Sequence, residues 1–479
     1  MKKNFGIIIL LLALITILLA QTDFEAWKTQ QQQQIQQFKN DQDKQFAEFL
    51  ESSWKAFKVF TGEKQDETPK PQEVPKVELK KPKELPQKNK IKDLKLPPLP
   101  QVEAVEEILA LPELESGREI ELDFFRKKFI LKYNDELEID LTKPINNKKI
   151  AEYWKKMSNK EYEPILKQIK FFSEQTGVND WGFTLLLYEA GELLYQDENL
   201  ATLFTWFMLT QAGYNSKVGY NENSIKLLLA SDHVFYGKPY LMVDKQRFYA
   251  VSLQTKESKQ KDLYTYEGNH AEAKEVMSLF LHAAPNFSDN LNEKVVEFSY
   301  KDKNYQIKLY YNPENIRYYD LYPETNLEIY FTSPMKKKVE YQLLQQLGKL
   351  VEGKSEAEAA NMLLRFVQTG FKYETDNQQF GREKAFFPEE VIYYPACDCE
   401  DRSVFYSYLI KKILSLEVIG LDYPGHVATA VNFSEKIAGD SISYKGKQYV
   451  VCDPTYINAD LGMAMPEFKN IKPKIIEIN

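Results

Sequence analysis

The chain has 479 residues, of which 13% are aromatic and 28% charged, and a net charge of −8. That length exceeds what one compact core serves and predicts two or three domains. A mildly acidic balance with no long basic stripe argues against a nucleic-acid partner, and no sequence pattern calls for a cofactor or a metal.

Lys2 and Lys3 precede an apolar run from Phe5 to Ala20, followed by polar Gln21-Thr22-Asp23. The run is short for a membrane span, and the small residue at its end fits a signal peptide over 1–20 cleaved after Ala20. An uncleaved anchor is the alternative. Either way the expected location is exported: periplasmic, outer-envelope or extracellular. Three cysteines, Cys397, Cys399 and Cys452, remain for such a compartment. An odd count leaves one thiol over. A Cys397–Cys452 bridge and three free thiols are both compatible with the sequence.

Residues 21–60 carry apolar pairs at an 11-residue period: Phe24 and Trp27, Ile35 and Phe38, Phe46 and Phe49, Phe57 and Phe60. This period predicts one straight or slightly right-handed helix. Its stripe needs a cover, through self-association, docking to the envelope, or packing on its own protein. Residues 61–101 hold eight prolines among Lys, Glu and Gln, from Pro69 to Pro100, and predict an extended, disordered linker.

Residues 102–332 read as a mixed α and β region. Ile120, Leu122 and Phe124 alternate, as do Phe129, Leu131 and Tyr133, which predicts a strand pair. Helical patterns cover Ala151–Thr176, Trp181–Tyr195 and Ala201–Ala212. Strand-like runs follow at Lys226–Ala230, Tyr240–Val243 and Arg247–Val251, and Lys294–Tyr311 reads as a hairpin around Asp302-Lys303. The Asp197 segment echoes the register of the cysteine helix described next, with Asp197 standing where the cysteine would be. It reads as a degenerate copy of the same domain or as an ordinary buried helix followed by strands.

Residues 333–479 begin with helical segments at Val339–Val351 and Ser355–Val367. An aromatic-rich loop then delivers the chain to Cys399. Asp398 is a suitable N-cap, and Phe405, Tyr408, Leu409, Ile413 and Leu416 form a buried stripe behind it. Cys399 therefore sits in the first turn of a helix, where backbone N–H groups favour a thiolate and can hold an oxyanion. Glu417–Tyr423 reads as a strand and Pro424-Gly425 as a turn, after which His426 opens a second strand. Ser441–Tyr444 and Gln448–Val451 form a hairpin that ends at Asp453. His426 lies 27 residues beyond Cys399, and Asp453 a further 27. Strand starts and ends of this kind meet at one sheet edge.

Cys399-Glu400-Asp401, Gly425-His426-Val427 and Asp453-Pro454-Thr455 resemble the motifs of the transglutaminase-like superfamily of papain-type cysteine enzymes. The resemblance covers roughly the last third of the chain. It implies an α+β fold with a helix on an antiparallel sheet. It also implies Cys399 as nucleophile, His426 as general base and acid, and Asp453 as the residue that orients the imidazole. Cys397 stands where the pattern commonly has glycine, and Val427 where many members carry an aromatic. The implied activity is hydrolysis or acyl transfer on peptide or protein amides through a thioester. Inactive relatives make a peptide-binding scaffold the other reading. A zinc site from Cys397, Cys399, His426 and Asp453 is disfavoured by the single residue between the two cysteines. Cys397 and Cys452 read as buried small residues or as a bridge, and His233, His270 and His282 as ordinary polar residues. Tyr394 and Tyr456 flank the motifs as possible cleft residues.

Overall fold

The structure, a computed structural model, describes residues 2–65, 73–78, 85–87, 89–91, 117–134, 137, 139, 141, 143–221, 223–253 and 262–478, with side chains from 26 onward. The side chains of the apolar run, and all linker prolines except Pro75 and Pro86, lie outside the described residues. Among the described residues no helix is long and apolar enough to cross a membrane.

The 11-residue stripe becomes helix α1 (Lys2–Ser52) over most of its length. It divides in two. Phe46 and Leu50 are buried, with Phe46 set 4.7 Å from Trp154, edge to face. Trp27, Ile35 and Phe38 stay 56–60% exposed. The helix stops at Ser52, before the last apolar pair. Trp54–Phe57 is strand β1, because Phe57 and its neighbours find a sheet edge to pair with. The sequence-based helix over 21–60 is therefore too long by one repeat.

The central part contains β2 (Arg118–Phe124), β3 (Lys127–Tyr133), α2 (Asn147–Ser158), α3 (Glu163–Thr176), α4 (Asp180–Tyr195) and α5 (Glu198–Gln211). Strands β4 (Ser216–Tyr220), β5 (Ile225–Ala230), β6 (Tyr240–Val243), β7 (Gln246–Val251) and β8 (Leu263–Tyr266) follow. The expected continuous helix at Ala151–Thr176 is broken: Asn159 caps α2 and Pro164 opens α3. Helix α5 is apolar all round and is buried from Leu200 to Thr210, as such a helix must be. The sheet runs β1-β8-β4-β5-β7-β6, and Phe60 then bridges Tyr240 of β6, so residues 54–60 join its two edges.

Strands β9 (Asn292–Tyr300) and β10 (Lys303–Tyr311) form the expected hairpin. The turn is Lys301-Asp302, both at positive φ, as a two-residue turn matched to strand twist requires. After α6 (Pro313–Asp320) and α7 (Leu327–Thr332) come α8 (Lys337–Val351) and α9 (Glu356–Gly370). Val296, Phe298, Ile307 and Leu309 of the hairpin share one buried cluster with Val339, Leu343 and Phe366 of α8 and α9. The C-terminal core thus begins at the hairpin, before the boundary read near Ser333.

The chain continues through β11 (Lys372–Tyr373), α10 (Asp376–Gln379), α11 (Glu390–Tyr393) and β12 (Ala396–Cys397) into α12 (Cys399–Leu409), which ends in a π-helical turn at Ile410–Leu414. Strands β13 (Glu417–Tyr423), β14 (His426–Asn432), β15 (Ser441–Tyr444), β16 (Lys447–Cys452) and β17 (Lys474–Glu477) make an antiparallel sheet in the order β15-β16-β14-β13-β17. The fold is α+β, with α12 packed against β14 and β13 on one side and against α9 on the other. Described parts of the proline-rich stretch also lie on this body. Val77 N–H donates to Ile457 O at 2.9 Å, and Ile91 N–H to Lys354 O at 2.8 Å. Backbone pairing thus orders short pieces of a stretch that its composition marks as extended.

Candidate active site

Three local structures deliver the three sequence-identified residues. Cys399 is the first residue of α12, reached from Asp398 in extended conformation. Asp401 closes that helix start: its carboxylate accepts from Asp398 N–H at 3.1 Å and from Phe386 N–H at 2.8 Å. One turn on, the Ser403 hydroxyl donates to Val427 O at 2.9 Å, tying α12 to the strand that carries the histidine. Arg402, 1% exposed, donates to Phe371 O at 2.7 Å and anchors the same helix to the end of α9.

His426 follows the Pro424-Gly425 turn, where Gly425 takes φ +70°, a left-handed value that glycine adopts without strain. Its ring stacks on Phe468 at 4.8 Å and lies 6.4 Å from Tyr423, each within 17° of parallel, and those two rings touch each other at 5.1 Å. Asp453 follows β16, which pairs Thr429 with Cys452 and so brings the strand's end beside β14. Its Oδ1 accepts from Thr455 N–H at 2.9 Å and Tyr456 N–H at 3.2 Å. Its Oδ2 lies 2.9 Å from His426 Nε2, and both side chains are almost fully buried. Gln368 of α9 fixes the loop from behind, donating to Asp453 O and Ala459 O at 3.0 Å each. The histidine and aspartate expected at one sheet edge are therefore in contact there. His426 Nδ1 is buried with no hydrogen-bond partner among the described residues.

Cys399 and His426 line one cavity of about 310 Å³, together with Tyr236, Glu383, Glu400 and Tyr423. Tyr394 and Tyr456, expected near the cleft, are not among its lining residues. Tyr394 instead stacks on Phe386 at 4.6 Å and donates to Asp320.

The state of the thiol differs from the expectation. The Cys399 sulfur donates to Glu400 Oε2 at 3.0 Å. Burial, then the charges of Glu400 and Asp398, hold its pKa well above the ordinary thiol value, against a backbone hydrogen bond from Val427 that lowers it. The helix N-terminus alone favours a thiolate, but the sequence also places carboxylates on both sides of the sulfur, and the fold buries all three. Cys397 and Cys452 are buried free thiols, not bridged, and burial pushes them to about 11 and about 12.

Sequence reasoning missed the density of acid around the thiol. Asp376, Asp398, Glu400 and Asp401 are all at most 6% exposed. Overlapping sets of them, with Glu383 and Cys399, bring oxygen or sulfur atoms within 4.8 Å of one another. Such a set can share protons or hold a cation. Burial, then Asp401 and Glu400, push Asp376 up to about 10, and burial with its acidic neighbours raises Asp398 and Asp401. Asp376 arrives from α10, 22 residues before Asp398, and no local pattern announces that convergence.

In the central part, Asp197 is the N-cap of α5 and accepts from Asn199 and Leu200 N–H at 2.9 Å each. It therefore matches Asp398 in helix position, one residue out of the register read from sequence. His270 contacts Asp43 at 3.3 Å, both buried, and His233 accepts from Leu279 N–H at 3.4 Å. No family model, no curated protein and no solved structure matches the chain.

Proposed function

We propose that the C-terminal part is a transglutaminase-like cysteine enzyme of papain type, acting on peptide or protein amides. The observation that carries this reading is the buried His426–Asp453 pair, whose histidine lines the same cavity as Cys399. Asp453 accepts the Nε2 proton of His426, which leaves Nδ1 as a base. Cys399 passes its proton to Nδ1 and attacks the amide carbonyl. The first-turn N–H groups of α12 receive the oxyanion. The amine departs with the proton from His426 and leaves a thioester, which water or a second amine resolves. The Lys2-Lys3 start and its apolar run support an exported location for this chemistry.

A second reading, a catalytically silent envelope scaffold that binds peptides in the same cleft, is favoured by one observation. The thiol is hydrogen-bonded to Glu400 and raised in pKa, a resting form that does not attack. The deciding experiment incubates the mature protein with a peptide library, with and without a primary amine, and reads products by mass spectrometry. Loss of all products in folded Cys399→Ala supports the enzyme. Products that persist in that variant, or none from wild type, leave the scaffold.

A further inference from the structure

Residues 60–65 leave the central sheet and reach the Cys399 cavity, where Lys64 and Gln65 form part of its wall. They are held in place by several contacts. Phe60 N–H donates to Tyr240 O at 2.8 Å and Tyr240 N–H returns the bond at 3.1 Å, with the two rings stacked at 5.4 Å. Gly237 N–H donates to Glu63 O at 2.7 Å, and the Glu63 carboxylate pairs with Arg247 at 2.8 Å. Gly62 lies so close to the chain beneath that a Cβ there would sit 2.4 Å from Lys238 O and 2.5 Å from Gly237 C. These contacts are all to the central part, yet the segment delivers its last side chains to a cavity of the C-terminal part. Gln65 Oε1 is buried with no hydrogen-bond partner among the described residues, a cost for a permanent wall.

We propose that residues 60–65 are an autoinhibitory strap, pinned to the edge of the central sheet, that closes the Cys399–His426 cleft until it is displaced. The proposal rests on the reading of this cleft as a substrate site. With the strap in place the cavity stays near 310 Å³, at the small end for a ligand site. Cys399 and His426 are then 1% and 2% exposed, so no protein substrate reaches the sulfur. Displacing the strap removes one wall and opens the cleft towards the side from which it enters.

The test is alkylation of full-length protein by iodoacetamide, with the labelling rate at each cysteine read by peptide mapping. Gly62→Ala forces the strap off Gly237 and Lys238. Arg247→Ala removes the ion pair with little threat to the fold, since both partners are partly exposed. Neither position belongs to the proposed catalytic set. The expected result is a rise in Cys399 labelling of at least about tenfold in Gly62→Ala and of about two- to fivefold in Arg247→Ala, with Cys397 and Cys452 unchanged as internal controls. Equal Cys399 rates in wild type and both variants overturn the strap, as does a parallel rise at all three cysteines, which reports general loosening. The readout needs no turnover. Failure of the enzymatic reading in Cys399→Ala is thus separable from failure here.

Discussion

Asp453→Asn isolates what the carboxylate does for His426. In the structure Asp453 makes two kinds of contact. Oδ1 accepts from two backbone N–H groups, Thr455 at 2.9 Å and Tyr456 at 3.2 Å, and Oδ2 faces His426 Nε2 at 2.9 Å. An asparagine must put its amide oxygen towards the two N–H donors, because an NH₂ there would face two donors. Its NH₂ is thereby aimed at Nε2 and can only donate. The imidazole is then forced to carry its proton on Nδ1, the nitrogen needed to take the thiol proton. A wrong tautomer of this kind lowers turnover by about 10³–10⁴-fold, or about 4–5.5 kcal/mol of barrier. Stability should fall by only about 1–2 kcal/mol, because the turn bonds survive and one charge-assisted hydrogen bond is weakened. Asp453→Ala also loses both turn acceptors and should destabilise more, by about 3 kcal/mol. The assays are kcat/KM on a peptide amide, urea unfolding, and ¹⁵N NMR of the imidazoles, which is tractable with four histidines in the chain. An Asp453→Asn protein that keeps its rate within about tenfold, or whose His426 Nδ1 stays unprotonated, refutes the reasoning.

Glu400→Gln removes the largest charge that holds the Cys399 thiol up. The pH midpoint of Cys399 alkylation should move down, and an unchanged midpoint would show that the Glu400 charge does not hold the thiol up. Asp376 bears on stability. Its carboxyl is raised to about 10 in the fold against 3.8 when unfolded, so the folded state holds a proton that the unfolded state has lost between those values. That contribution is complete below about 3.8 and declines as pH rises towards 10, by at most about 1.4 kcal/mol per pH unit. Urea midpoints at pH 5, 7 and 9 should therefore fall with pH in wild type and fall less in Asp376→Asn. Equal slopes in the two proteins would place the proton elsewhere.

Much of the C-terminal part was legible because its signals are local. Alternation in Glu417–Tyr423, the Pro424-Gly425 turn and the run from His426 each act within a few residues, and β13 and β14 form where they predict. The same holds for β2 with β3 and for β9 with β10. Strands β4, β8 and β17 and helices α6 and α7 were not read. They are short, and β8 and β17 depend on partners far along the chain, β8 pairing with β1 and β17 with β13. Phe57 and Phe60 continue the helical period perfectly well. They leave the helix because a sheet edge competes for their backbone.

The sequence by itself determined that Cys399 starts a helix, that His426 starts a strand and that Asp453 ends one, since capping, turn chemistry and periodicity are short-range. Only the tertiary structure decided the charge state around them. It buries Asp376, Asp398, Glu400 and Asp401 together beside the sulfur and holds the thiol protonated, and it brings Lys64 and Gln65 into the wall of the Cys399 cavity from more than 300 residues away. Electrostatic energies depend on distance and burial, neither of which is a property of sequence spacing.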